Sequence, residues 1–432
     1  MSARLVQRPG PAASLVIRGA RILDPIAGID RVGDLVVRDG VIGGDAAGLE
    51  EVDGTGLVVV PGFVDPHVHL RTPGREDTED IASGSLSGAA GGFVAIAAMP
   101  NTQPPVDDAQ DLVRLLELAE RDAVIPVGFI CAITKGQQGS QLTEAAELAE
   151  LGAVALSDDG RPVSDAAVFR RALQYQRLAG LPFTLHEEDM ALSGDGAMHE
   201  GAVSARLGVG GIPAVSEAIA VGRDVLLAHY EGARIHVCHV SAKETIEEVR
   251  RGKSMGVRVT AEVTPHHLVL VDEDCENLDA ATRKMNPPLR GREDREALIQ
   301  ALIDGTIDCV ATDHAPHGAS EKELPFEEAP FGVTGLETAF AVLNTHLVRT
   351  GRMPLELLVR RMSGDAARVL DMPEPTLADG AAANLAVIDP EAVWRVGADG
   401  FRSKSSNSAF LGDELTGRVT MTIAGGQIAW RT

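Results

Sequence analysis

Apolar and polar positions alternate along the first sixty residues, where "SLVIRGARIL", "DLVVRDGVI" and "GLVVVPGF" read as short strands and Asp39-Gly40 reads as a hairpin turn. The end of the chain has the same character, in "ANLAVIDP", "LTGRVTMTIAGG" and "QIAWRT". The two ends are therefore expected to pair into one small β-domain. Between them the pattern changes to continuous apolar runs that alternate with amphipathic segments. The expected strands are "FVDPHVH", "FVAIAAM", "VIPVGFICAI", "AVALSDD", "PFTLHEE", "RIHVCHV", "VRVTAEV" and "IDCVATD". Helical periodicity is clear in "VDDAQDLVRLLELAER", with Leu112, Leu115, Leu116 and Ala119 on one face, and in "SDAAVFRRALQYQRLAG", read as opening on a Ser164 cap and stopping at Gly180.

Eight strands alternating with helices predict an α/β fold, a (β/α)8 TIM-type barrel over 61–378. Residues 1–60 and 379–432 would form a small β-sandwich domain. An open doubly wound sheet is the alternative, but no Gly-x-Gly-x-x-Gly follows the first strand. No internal repeat or low-complexity linker interrupts the chain.

Composition narrows the classes. The chain has 432 residues, is 44 % hydrophobic and carries a formal net charge of −24, which argues against a nucleic-acid or anionic-membrane surface. Cys131, Cys238, Cys275 and Cys309 are scattered and read as buried thiols, neither a disulfide frame nor a cysteine zinc site. The first twenty residues lack a continuous apolar signal core, and no apolar run is long enough to span a bilayer. The expectation is a cytoplasmic enzyme.

In such a barrel, chemistry belongs at the C-terminal strand ends. The first strand ends in His67 and His69, whose alternation points both imidazoles to one side. Later strands end in Asp158-Asp159, His186, His239 and Asp313. Each is a residue type that a divalent metal takes as ligand. Taken singly, an aspartate could be a helix cap and a histidine a satisfied core residue. Five strand ends of this kind point instead to a metal site.

These motifs, with "DPHVHLRTPG", "AAMPNTQPP", "SDDGRPV", "TLHEE", "HVCHVSAKE", "VTAEVTPHHL", "KMNPPLR", "ATDHAPH" and "APFGVTGLETA", resemble the amidohydrolase superfamily. Within it they are most similar to the long-chain bacterial dihydroorotases, a type that can associate with aspartate transcarbamoylase. The resemblance covers almost the whole chain. It implies that His67, His69, Asp159 and Asp313 surround one metal ion and that Asp159, His186 and His239 surround a second, with Zn2+ as the expected metal. In many relatives a carboxylated lysine on the fourth strand bridges the ions. No lysine occurs between Lys135 and Lys243, so Asp159 is the implied bridge, with Asp158 as the alternative. The implied reaction is reversible cyclisation of N-carbamoyl-L-aspartate to L-dihydroorotate in de novo pyrimidine biosynthesis. It would use a metal-activated hydroxide, with Asp313 as general acid/base.

The resemblance further implies a substrate pocket made by His69, Arg71, Asn101, Asn286, His317 and the backbone around Phe331 and Gly332. Arg71 offers a planar fork for a carboxylate. The charged stretch "GASEKELPFEEA" reads as a mobile loop near the site, and His266 and His267 read as structural. His236 would point away from His239 if the strand between them is unbroken. The chain departs from the commonest family pattern at Thr72, in "HLRTPG" where relatives often read "HLREPG". Other cyclic amidohydrolases, such as a dihydropyrimidinase or an allantoinase, are the runner-up enzymes. A catalytically silent scaffold is a further alternative, which retention of every expected ligand disfavours. A homo-oligomer, and association with aspartate transcarbamoylase, complete the expected partners.

Overall fold

The computed structural model describes residues 4–276, 278 and 281–432. Eight strands run parallel: β1 (Phe63–Val68), β2 (Phe93–Ala98), β3 (Val127–Cys131), β4 (Ala155–Leu156), β5 (Phe183–Leu185), β6 (Arg234–Val237), β7 (Arg258–Val263) and β8 (Cys309–Val310). Each pairs with the next in sequence, and a parallel bridge from Val68 to His314 brings the eighth against the first. The strands are buried almost throughout, which is why they read as continuous apolar runs and do not alternate.

Helices cover the outside. Ala109–Asp122 buries Leu112, Leu115, Leu116 and Ala119, as its periodicity predicts. Ala166–Ala179 ends at Gly180 in the left-handed conformation, but its cap is Asp165 and not Ser164. The Asp165 carboxylate accepts the free amides of Ala167 and Val168. It fills that place with a charge that complements the helix N-terminus, as a hydroxyl does not.

The chain ends meet in one continuous sheet with the order Gln427–Arg431, Glu414–Ala424, Leu385–Arg395, Val58–Pro61, Leu15–Asp24, Ile29–Arg38 and Val41–Ile42, with Glu50–Asp53 beside Leu15–Asp24. Asp39 and Gly40 both take positive φ at the tight turn before Val41. Alternation divides the central strands between two cores. Val59, Leu385 and Val387 join Leu15, Ile17 and Ile423 in the sheet's own core, while Val58, Val60, Ala386 and Ile388 pack into the barrel core. The expected sandwich is thus hydrogen-bonded into a single sheet, because Val58–Pro61 from one end pairs antiparallel with Leu385–Ile388 from the other. Among the described residues, no helix is long and apolar enough to cross a membrane.

Candidate active site

Strand geometry gathers the predicted residues at one mouth of the barrel. His67 lies inside β1 and His69 follows it, both buried. Asp65, on the same side as His67 by strand alternation, accepts the amide and hydroxyl of Thr312 and so ties β1 to the chain leaving β8. Asp159, His186, His239 and Asp313 lie just beyond the ends of β4, β5, β6 and β8, His186 directly after its strand. Arg71, His239 and Asp313 have positive φ, of 56, 34 and 47°. Such backbone is uncommon for residues with a Cβ and persists where surrounding structure enforces it.

The potential ligand atoms face one another. His69 Nε2 lies 3.0 Å from Asp313 Oδ1, and His67 Nε2 lies 3.5 Å from the same oxygen and 3.6 Å from Asp159 Oδ1. Asp159 Oδ1 is in turn 3.8 Å from His186 Nδ1 and 4.0 Å from His239 Nε2. Those two nitrogens are 3.0 Å apart. Zinc with Zn–N near 2.0–2.1 Å in tetrahedral geometry sets ligand atoms about 3.3 Å apart, so the spacing suits a divalent ion. Among the described residues, His67 Nε2 and Asp159 Oδ1 are buried without any hydrogen-bond partner, an arrangement that is costly for a protein without something between them. Asp159 therefore lies within 4.0 Å of histidines from both halves of the cluster. Asp158 points elsewhere and accepts the amides of Ile133 and Thr134 and the Thr134 hydroxyl.

A second layer of acceptors fixes the imidazoles. Glu262 Oε1 lies 2.7 Å from His67 Nδ1, Asn101 Oδ1 lies 2.8 Å from His69 Nδ1, and Glu188 Oε2 lies 3.1 Å from His186 Nε2. With protons on those nitrogens, the opposite nitrogen of each ring turns a lone pair toward the cluster. Asn101 also donates to Asp159 Oδ2 at 2.8 Å, so both ends of its amide are engaged by the cluster. Burial pushes the Glu188 carboxyl up, but His186 and the neighbouring donors outweigh it and hold the group down at about 2.

Outside the cluster lies a cavity of about 160 Å³ lined by His69, Arg71, Asn101, Asp159, Gly160, His186, His239, Asn286, Asp313, Ala315, His317, Phe331 and Gly332. All seven residues expected in the substrate pocket line it. Arg71 donates through Nε to Pro316 O and lies beside His317, and among the described residues it has no ion-pair partner. Burial pushes its guanidinium down to about 10, against the pull of Asp313. His317 Nε2 donates to Phe331 O at 2.8 Å, and burial with the nearby Arg71 charge pushes its imidazole down to about 3. Gly332 has φ 124°, and a Cβ there would stand 2.7 Å from that of Ala315. Asn286 Nδ2 donates to Glu188 at 2.9 Å.

The stretch 318–329 flanks this cavity but is strapped down. Lys322 is buried and donates to the carbonyls of Ala281, Lys284 and Pro330, while Lys284 donates to those of Phe326 and Glu327. The Thr72 hydroxyl turns back to Leu70 O and leaves Arg71 alone. His267 bonds the Thr264 hydroxyl and Pro287 O, as a structural histidine does. His236 does not follow the unbroken-strand reading: β6 ends at Val237, and His236 Nε2 turns to Glu262 Oε2 at 3.0 Å. All four cysteines are free and buried. Glu188 and Glu262 were not singled out from the sequence. The available signal was a lone glutamate inside the apolar run "VRVTAEV".

A family model described as "Dihydro-orotase-like" matches residues 56–245. The chain is 47 % identical to a dihydroorotase of Anaeromyxobacter dehalogenans over 96 % of this chain and 97 % of that one. It is 45 % identical to a dihydroorotase of Citrifermentans bemidjiense, over 97 % and 100 %. The crystal structure of a dihydropyrimidinase from Brevibacillus agri superposes with a TM-score of 0.84 at 22 % identity, covering 97 % of this chain and 95 % of that chain. At that identity the superposition speaks for the barrel-plus-sheet fold alone. Sequence identity of this extent over nearly complete chains does more: the chain belongs to the dihydroorotase family.

Proposed function

We propose that the protein is a metal-dependent cyclic amide hydrolase that interconverts N-carbamoyl-L-aspartate and L-dihydroorotate, the ring-closing step of pyrimidine biosynthesis. The observation that carries this is the convergence of His67, His69, Asp159, His186, His239 and Asp313 around two buried atoms that lack partners, His67 Nε2 and Asp159 Oδ1. His67, His69, Asp159 and Asp313 would hold one ion, and Asp159, His186 and His239 a second, with zinc as the metal. The chemistry supplied by such ions is ionisation of water near neutral pH and polarisation of the amide carbonyl.

The protein's own groups do the rest. Arg71 lines the cavity without an anionic partner and pairs with the substrate carboxylate. Asn286, His317 and the backbone of Phe331 and Gly332 border the remaining edge of the ring, while His69 and Asn101 close the side toward the cluster. In hydrolysis Asp313 accepts the proton of the attacking water and returns it to the leaving ring nitrogen. In cyclisation the same carboxyl group takes the ureido proton and delivers it to the departing oxygen. The division into a catalytic barrel, 61–378, and a supporting sheet from both ends, a cytoplasmic location, a homo-oligomer and association with aspartate transcarbamoylase belong to the same reading and rest on family resemblance.

Metal analysis with an assay on dihydroorotate, dihydrouracil and hydantoin tests it. Bound zinc with strong preference for dihydroorotate is expected. Comparable turnover of dihydrouracil, which lacks the carboxylate, would make the protein a dihydropyrimidinase.

A further inference from the structure

We propose that Glu262 is a positioning residue that serves both halves of the metal cluster at once; this rests on the metal reading above. Glu262 lies on β7, the one strand after β3 that contributes no residue to the cluster, and it is fully buried. One of its oxygens nevertheless meets two of the ligand residues, and the other is held by His236. Oε1 lies 2.7 Å from His67 Nδ1 and 3.3 Å from the backbone nitrogen of His239, while Oε2 lies 3.0 Å from His236 Nε2. His236 is itself fixed through Nδ1, 2.8 Å from the Thr260 hydroxyl.

Two separate consequences follow from this one side chain. A carboxylate only accepts, so it requires the proton of His67 on Nδ1 and turns the Nε2 lone pair toward Asp159 and Asp313. It also holds the amide of His239, whose φ of 34° bends the chain after β6 so that its ring meets His186. Nδ1 of His239 has no partner among the described residues, so the backbone contact to Glu262 is what fixes this residue from behind. Glu188, by contrast, holds the imidazole of one ligand histidine, and Asn101 bonds the side chains of His69 and Asp159 without touching a backbone.

Replacements separate reach from charge. Glu262→Gln keeps an acceptor at the same distance from His67 Nδ1, and His236 can exchange its donor with the Thr260 hydroxyl. Glu262→Asp keeps the charge but withdraws it by a methylene, and Glu262→Leu removes the acceptor. The full-length variants are stripped and titrated with cobalt(II) in competition with a chelator, and the ligand-field spectrum is recorded. We expect wild type to bind two ions and both the Asp and Leu variants to lose affinity at both sites by about 10–100-fold, with changed spectra. The Gln variant should stay within a few-fold of wild type. Loss at one site only, unchanged affinity in the Asp and Leu variants, or an Asp variant better than the Gln variant overturns the proposal. Failure of the wild type to bind metal would instead defeat the metal reading itself. Should the Leu variant not fold, the Asp and Gln pair decides alone.

Discussion

In the terminal sheet, Leu15, Ile17, Ile22, Val59, Leu385, Val387 and Ile423 meet side chain to side chain, all almost fully buried. At the barrel mouth, His67, Asp159, His186, His239, Glu262 and Asp313 are buried too. The first region gains free energy from every contact it makes. The second carries the desolvation cost of charged and polar groups, and at His67 Nε2 and Asp159 Oδ1 it does so with no hydrogen bond to offset it. Burial thus marks stability in one place and readiness for a ligand in the other. If that contrast is right, substitutions at the mouth abolish chemistry while sparing the fold, and substitutions in the sheet do the reverse.

The largest effect should come from His67→Ala, which we expect to lose both metal and activity, with a melting temperature at or above that of stripped wild type. Metal content near the wild-type level would break the contrast at its centre. Arg71→Met should weaken dihydroorotate recognition by about 2–5 kcal/mol, as expected when a desolvated charge loses its partner, and should leave dihydrouracil unaffected. KM and kcat/KM for the two substrates would check this. Asp313→Asn keeps the shape but cannot carry a proton, so both directions should slow together by about 10²-fold or more. In that assay the direction of the pH effect also checks that the reaction closes a ring amide at a carboxylate. Cyclisation converts two carboxylates into one and takes up a proton, so its apparent equilibrium constant must fall as pH rises, by about tenfold per unit once the carboxylates are ionised. A pH-independent equilibrium would mean a different reaction. The smallest effect lies in the sheet, where Ile423→Val should cost about 0.5–1.5 kcal/mol in denaturant unfolding and leave kcat unchanged.

Much of the mouth was legible in the sequence because strand ends are marked by where apolar runs stop, and because alternation sends His67 and its neighbours in β1 to known sides. Legibility failed where strands are too short to carry alternation. β4 is only Ala155–Leu156, so both Asp158 and Asp159 lie beyond it, and the choice between them is made by Thr134 and Ile133, which capture Asp158 from the preceding loop. The role of His236 was lost for a similar reason, since the strand stops between it and His239. Glu262 was hidden by its company: in an apolar strand a single glutamate is visible, but its partners come from β1 and from around β6, far away in sequence. At Ser164-Asp165, two adjacent residues were both fit to cap, and only the observed turn distinguishes them. The joining of both chain ends into one sheet likewise depends on a pairing that no local pattern encodes.

That pairing sets an order of events during folding. Val59 and Val387 lie opposite each other although they are roughly three hundred residues apart, and closing such a loop early would be entropically unfavourable. The barrel between them must shorten that distance first, so the terminal sheet is expected to form late. During synthesis the strand Val58–Pro61 emerges long before its partner Leu385–Arg395, and at about 5–20 residues per second its edge waits many seconds unpaired. The N-terminal sixty residues are therefore the part of the chain with most need of a chaperone, and nascent chains stalled before Leu385 should be the ones that aggregate.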